Sequence, residues 1–156
     1  IGGASYYYNV LVRLYAVAGQ AFEFPGTQTG QAPDPACYEI PDSPSELWEG
    51  EPAVCSVSVS GQPTASRIQL LADISHIYPP DVRLEIEHPD GTVVRLNDHT
   101  GKVRGVFDQE LSVDDRNHGL DVLAGKDPNG IWTVRSTDWY TWELGVVRSL
   151  VLFVQP

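Results

Sequence analysis

The chain has 156 residues, the size of one domain, and a chain of that length buries roughly 70% of the surface it exposes when unfolded. Its 10 basic and 21 acidic side chains give a formal net charge of −11, which opposes nucleic-acid backbones and anionic membranes as partners. No apolar run reaches the eighteen or so residues of a membrane span, and a chain that starts at Ile1 and contains no methionine is expected to be a processed, secreted product.

The first element in chain order is an alternating strand within residues 5–17, "YYYNVLVRLYA". Tyr6, Tyr8, Val10, Val12 and Leu14 share one face and Tyr7, Asn9, Leu11, Arg13 and Tyr15 the other. Such a strand invites edge pairing, either on its own domain or as a donor strand on a neighbouring copy. "FPGTQTGQAPDPA" (24–36) is polar and rich in Pro and Gly, and is expected to act as a linker permitting either outcome. Residues 1–36 are therefore taken as strand plus linker, and 37–156 as the main domain.

Cys37 and Cys55 are the only cysteines. Their spacing is not that of a CxxC zinc or redox motif, and in an oxidising compartment two cysteines in a Pro/Ser/Glu-rich segment are expected to form a disulfide.

"SVSVSG" (56–61) and "RIQLLADISHI" (67–77) lead into "DVRLEIEHP" (81–89), where Val82, Leu84 and Ile86 face one way and Arg83, Glu85 and Glu87 the other. "HPDG" (88–91) has the residue types of a type I turn, and "TVVRL" (92–96) completes a hairpin. Residues 97–125 are polar and acidic and predict long loops around a strand or a helical turn. After the turn "KDPNG" (126–130), "IWTVRSTD" (131–138) and "VVRSLVLFVQ" (146–155) are strand-like. Many short strands, Gly/Pro turns and no sustained helical period predict an all-β antiparallel sandwich, jelly-roll or immunoglobulin-like.

The succession of these pieces resembles the P domain, or P/Homo B domain, of kexin- and furin-like proprotein convertases and of bacterial secreted proteins. The residues that carry it are "IPDSP" (40–44), "SHIYPPDVRLEIEHPDGT" (75–92), "VFDQEL" (106–111), "DPNGIWTVRSTD" (127–138) and "LGVVRSLVLF" (144–153). The family's Asp-Leu is Asp81-Val82 here, its Ser before Pro89 is His88, and "ELWEGEPAVC" (46–55) is an insertion that the Cys37–Cys55 bridge would enclose. The resemblance implies a jelly-roll β-sandwich, not itself a catalyst, that packs beside a subtilisin-like protease or serves as an appended module.

The candidate sites follow. No G-x-S-x-G elbow or comparable serine accompanies His76 and Asp81, so no catalytic residues are assigned, and His76 is expected to cap backbone groups at a strand end. Calcium is the candidate cofactor; Asp81, Asp127 and Asp138 are its first candidate ligands because they border the matched motifs. Trp132 is expected in the core, while Trp139, Tyr140 and Trp142 make a candidate aromatic platform for carbohydrate. Taken together, these features predict a non-enzymatic extracellular structural or assembly module. Its expected partner is a protein or a second copy, with filament formation by donation of the N-terminal strand. An accessory P domain of a protease and a calcium-assisted carbohydrate-binding module are the alternatives.

Overall fold

A computed structural model describes residues 19–45, 49–76, 78, 81–98, 106–107, 110–113, 120–142 and 144–156. The strand expected within residues 5–17, with Tyr6, Tyr8, Val10, Val12 and Leu14, lies outside the described residues.

Ten described strands form two antiparallel sheets: β1 (Gln20–Glu23), β2 (Glu39–Ile40), β3 (Ala53–Val59), β4 (Arg67–His76), β5 (Val82–Glu87), β6 (Val93–Asp98), β7 (Val106–Phe107), β8 (Glu110–Val113), β9 (Gly130–Asp138) and β10 (Gly145–Gln155). One sheet has the order β1-β10-β4-β8-β7, with β2 also paired to β10, and the other the order β3-β9-β5-β6. The long connections that carry consecutive strands from one sheet to the other make this the expected jelly-roll-type sandwich.

Period-two alternation builds the core. Leu84 and Ile86 of β5, Trp132 and Val134 of β9, Ile68, Leu70, Ala72 and Ile74 of β4, and Leu150, Leu152 and Val154 of β10 face one another between the sheets. The outer face of the four-stranded sheet is polar and laced with ion pairs, Arg135–Glu87 at 2.7 Å and Arg95–Glu85 at 3.5 Å. The predicted hairpin forms between β5 and β6: Gly91 N–H donates to the His88 carbonyl at 2.9 Å, and Gly91 takes a φ of +90°, which only glycine adopts without strain.

The segment expected to be a free linker is part of the sandwich. Gln20 to Glu23 pair with Val154 to Val151, and the hydrogen bonds then continue down the same edge of β10. The N–H groups of Phe24, Gln28 and Thr29 reach the carbonyls of Leu150, Val147 and Arg148 at 3.0 Å, before β2 pairs with Gly145 and Val146. Phe24 and Thr27 are buried. A run of Pro, Gly and Thr has no strand signature, yet here it satisfies an edge that would otherwise present open carbonyls.

A helical turn, Pro35–Tyr38, follows, its Ala36 N–H capped by the Asp34 carboxylate at 3.0 Å. It carries Cys37 to Cys55 of β3, and the two form the expected disulfide. A 3₁₀ turn, Leu120–Leu123, places Leu120 and Leu123 in the core; this is the turn anticipated within the polar stretch 97–125.

Candidate functional site

The two ends of the sandwich hold different side-chain clusters, because β9 runs from one end to the other. Nine residues of strand span roughly 30 Å, so Asp127, just before β9, and Asp138, its last residue, lie far apart. The three aspartates proposed as ligands of one calcium ion therefore do not converge. Asp81 and Asp138 are brought together at one end, where Val82 pairs with Asp138 and the Trp139 N–H reaches the Asp81 carbonyl at 3.2 Å; Asp127 is at the other.

At the Asp138 end, His76 closes β4 and Asp138 closes β9, so the two sheets contribute one residue each. Their side chains are fully buried, with His76 Nε2 3.4 Å from Asp138 Oδ2. His76 Nδ1 accepts the Tyr78 N–H at 3.0 Å, which turns Nε2 toward the carboxylate. Asp138 Oδ1 accepts the Tyr140 N–H at 3.1 Å. A Cβ on Gly145 would stand 2.6 Å from His76 Cδ2, so glycine at the start of β10 is what admits the ring.

The pair meets in an enclosed space between the two sheets, and neither His76 Nε2 nor Asp138 Oδ2 makes a hydrogen bond among the described residues. The site has the acid–base pair of a hydrolase without the access a substrate needs. It also does not fit calcium: the ion takes six to eight oxygens, while one Asp138 oxygen is committed to a backbone amide and the other faces an imidazole. Among the described residues no group of three or more His, Cys, Asp or Glu side chains is arranged to hold a metal.

The aromatic residues of the following loop do not share one surface role. The Arg83 guanidinium sits 4.3 Å from the centre of the Trp139 ring, a cation–π contact that occupies one face of that ring. Arg83 also bonds Glu49 at 3.1 Å. Tyr140 is half-buried, whereas Trp142 is 88% exposed, its backbone N–H donating to the Asp42 carboxylate at 3.1 Å. Only the Trp142 ring is thus fully presented to solvent.

At the opposite end His88, Asp90, Lys126, Asp127 and Asn129 line an open depression of about 340 Å³. His88 is buried edge-on against Trp132, ring centres 4.8 Å apart, and its Nδ1 accepts the Asp90 N–H at 3.0 Å. Asp127 accepts two bonds from Asn129, which lower its pKa. Asp90 accepts from Lys126 Nζ at 2.6 Å and from the Thr92 N–H at 2.9 Å, and these hold its carboxyl well below the usual carboxylate range.

A carboxylate with a depressed pKa stabilises the fold above its unfolded value near 3.9 and loses that contribution as pH falls through the folded value. The melting temperature of Asp90→Asn is accordingly expected to lie a few degrees below the parent between pH 5 and 8, with the gap closing below about pH 4 and shrinking in high salt, since the pair is exposed. A gap that stays constant down to pH 2 would count against the ion pair as its cause.

The family model for the proprotein convertase P-domain matches residues 65–152, more than half of the chain. The chain belongs to the P-domain family. Relatives of this P domain include the calcium-dependent protease of Trichormus variabilis, 28% identical over 99 residues that make up 62% of this chain and 15% of that protein. Leupeptin-inactivating enzyme 1 of Streptomyces exfoliatus is 24% identical over 131 residues, 84% of this chain and 25% of that protein. Among solved structures, the serine protease of Aeromonas sobria superposes with a TM-score of 0.53 at 16% identity, covering 86% of this chain and 26% of that one. The same protease in its chaperone (ORF2) complex superposes at 0.52 and 16% identity, with the same coverage. These structures share the fold, and the chain spans about a quarter or less of the length of these relatives.

The matched region begins at Ala65 and ends at Leu152, so it contains the His76–Asp138 pair and the whole His88–Trp132 contact. It excludes the wrap of residues 20–40 and the disulfide. The pairing of His76 with Asp138 was not drawn from the sequence; its signal was the joint presence of a strand-end His and a strand-end Asp in two motifs 62 positions apart.

Proposed function

We propose that this P domain is a non-enzymatic accessory module of a secreted subtilisin-like or other protease, which it stabilises by packing beside the catalytic domain. The observation that carries the reading is the family match at 65–152 together with the lengths involved: the named relatives and neighbours include a calcium-dependent protease and a serine protease, and the chain corresponds to about a quarter or less of their lengths. The buried His76–Asp138 pair is consistent with it, because these acid–base residues are enclosed between the sheets. The disulfide suits an oxidising, extracellular setting, and a protein partner follows from the role itself.

Donation of the N-terminal strand to a neighbouring copy, and with it filament growth, rests on the alternation of residues 6–14 alone and ranks second. Carbohydrate binding is reduced to the single exposed ring of Trp142. Calcium dependence is in the name of the Trichormus relative; for this chain, calcium is a proposal without a ligand set among the described residues.

The test is the reading frame that encodes the chain, expressed whole and with residues 19–156 deleted. A peptidase domain in the same polypeptide, whose secreted activity falls on the order of ten-fold or more on deletion because it fails to reach the folded state, supports the reading. A polypeptide with no peptidase domain, or one whose activity survives the deletion intact, overturns it.

A further inference from the structure

Strained backbone and exposed aromatic surface coincide at one end of the sandwich. There β2 and β4 finish and β10 begins, side by side, because Gly145 pairs with Ile40 on one flank and with His76 on the other. Just beyond these three residues come Asp42, Tyr78, and Trp142 with Leu144. Tyr78 is tied back to His76 through its N–H, and Trp142 to the Asp42 carboxylate through its own. The side chains of Tyr78, Trp142 and Leu144 are 51%, 88% and 69% exposed. Among the described residues the other exposed large apolar side chains, Val54, Val93, Val122 and Ile131, are single aliphatics on four different elements. Apolar bulk is thus gathered at this end, and two of its three members are of the aromatic types that anchor protein interfaces.

Trp142 has a φ of +77°, a conformation that glycine adopts freely and a bulky side chain resists. The Asp42 carboxylate holds the turn by accepting the Trp142 N–H at 3.1 Å. Such strain persists where it serves a purpose, and packing within the domain is not that purpose, since the ring stands in solvent. The surroundings define what would cover it. Exposed carboxylates of Glu39, Asp42, Glu49 and Glu51 rim this end, while Arg83 beside them is already bonded to Glu49 and stacked on Trp139. An apolar centre within an acidic rim fits a surface that is apolar at its centre and basic at its edge.

We infer that this end is the docking face for the peptidase domain of the same polypeptide, which presents an apolar pocket for Trp142 flanked by Lys or Arg opposite Asp42 and Glu51. The inference rests on the accessory-module reading and adds to it the surface through which the module acts. A patch centred on one indole suffices for that role, because a partner in the same polypeptide is held at high effective concentration and needs little intrinsic affinity.

The experiment makes Trp142→Gly both in the 156-residue chain and in the whole polypeptide that its reading frame encodes. Glycine removes the ring and relieves the positive φ, so the melting temperature of the 156-residue chain is expected to hold or to rise by about a degree or two. In the whole polypeptide the same substitution is expected to lower secreted peptidase activity on the order of ten-fold, as loss of an interface anchor does. Leu144→Ser and Glu51→Lys should each lower it about three-fold, and Val122→Ser and Ile131→Ser should leave it in place. A melting temperature that falls by several degrees in the Trp142→Gly chain would make the ring a structural element and overturn the inference. Full activity of the Trp142→Gly polypeptide, where deletion of residues 19–156 abolishes it, overturns the inference and leaves the accessory reading standing. Equal losses from Val122→Ser or Ile131→Ser also overturn it, since any exposed apolar side chain would then do. A polypeptide with no peptidase domain removes both readings. Oligosaccharide binding that vanishes in Trp142→Gly while peptidase activity is unaffected would make carbohydrate the occupant, against the inference.

Discussion

Trp132→Ala is expected to destabilise the domain by about 4 kcal/mol, the largest effect of any single side-chain truncation in the core. Trp132 is wholly buried at the middle of the four-stranded sheet, packs edge-on against His88 and donates its indole N–H to the Pro128 carbonyl at 2.8 Å. Alanine removes a large apolar surface, leaves a cavity between the sheets and strips His88 of the ring that shields it. Urea unfolding of parent and variant measures the cost. Trp132→Phe refills most of the volume without the indole donor and is expected to recover more than half of the loss. A truncation costing under about 1 kcal/mol would mean that the sheets close over the gap, contrary to a core held at native packing density.

Removing the disulfide by joint replacement of Cys37 and Cys55 with alanine is expected to cost about 3 kcal/mol, the closure entropy of a loop of this length. The bridge joins the helical turn that leads into β2 to the edge strand β3, and so clamps the wrap of residues 20–40 against the sandwich. Loss of the bridge should therefore act unevenly. Amides of Phe24, Gln28 and Thr29, which bond β10 from the wrap, are expected to exchange with solvent faster by one to two orders of magnitude. Those between β5 and β9 should change only by the global loss. Reduction of the parent should reproduce both effects. Uniform exchange throughout would sink the clamp and leave only the entropic contribution.

How much of this could be read beforehand differs by element. The β5–β6 hairpin was legible because its information is local: alternation in "VRLEIE", then Pro, Asp and Gly at the turn positions that need them. The succession of family motifs extended that reading to the core strands, since each motif lies at the end of a strand whose partner is another motif. The wrap was not legible. Its backbone is specified by partners more than a hundred positions away, as with Thr29 and Arg148, and Pro, Gly and Thr signal a linker in any local window. The candidate calcium site went astray for a metric reason. Asp127 and Asp138 border the same motif in sequence, but that motif is a strand, and a strand separates its ends by its full length. The His76–Asp138 pair needs the opposite information, the stacking of two sheets, which no local pattern encodes.

The pairing of β1 with the last residues of β10 also brings two distant parts of the chain together. Gln20 faces Val154 across an antiparallel ladder, whose partner Cα atoms are about 5 Å apart, so two positions more than a hundred residues apart in sequence sit side by side. Whatever is joined to the chain at these two points is therefore anchored to the sandwich side by side, and a pull on both would shear the β1–β10 ladder from one end.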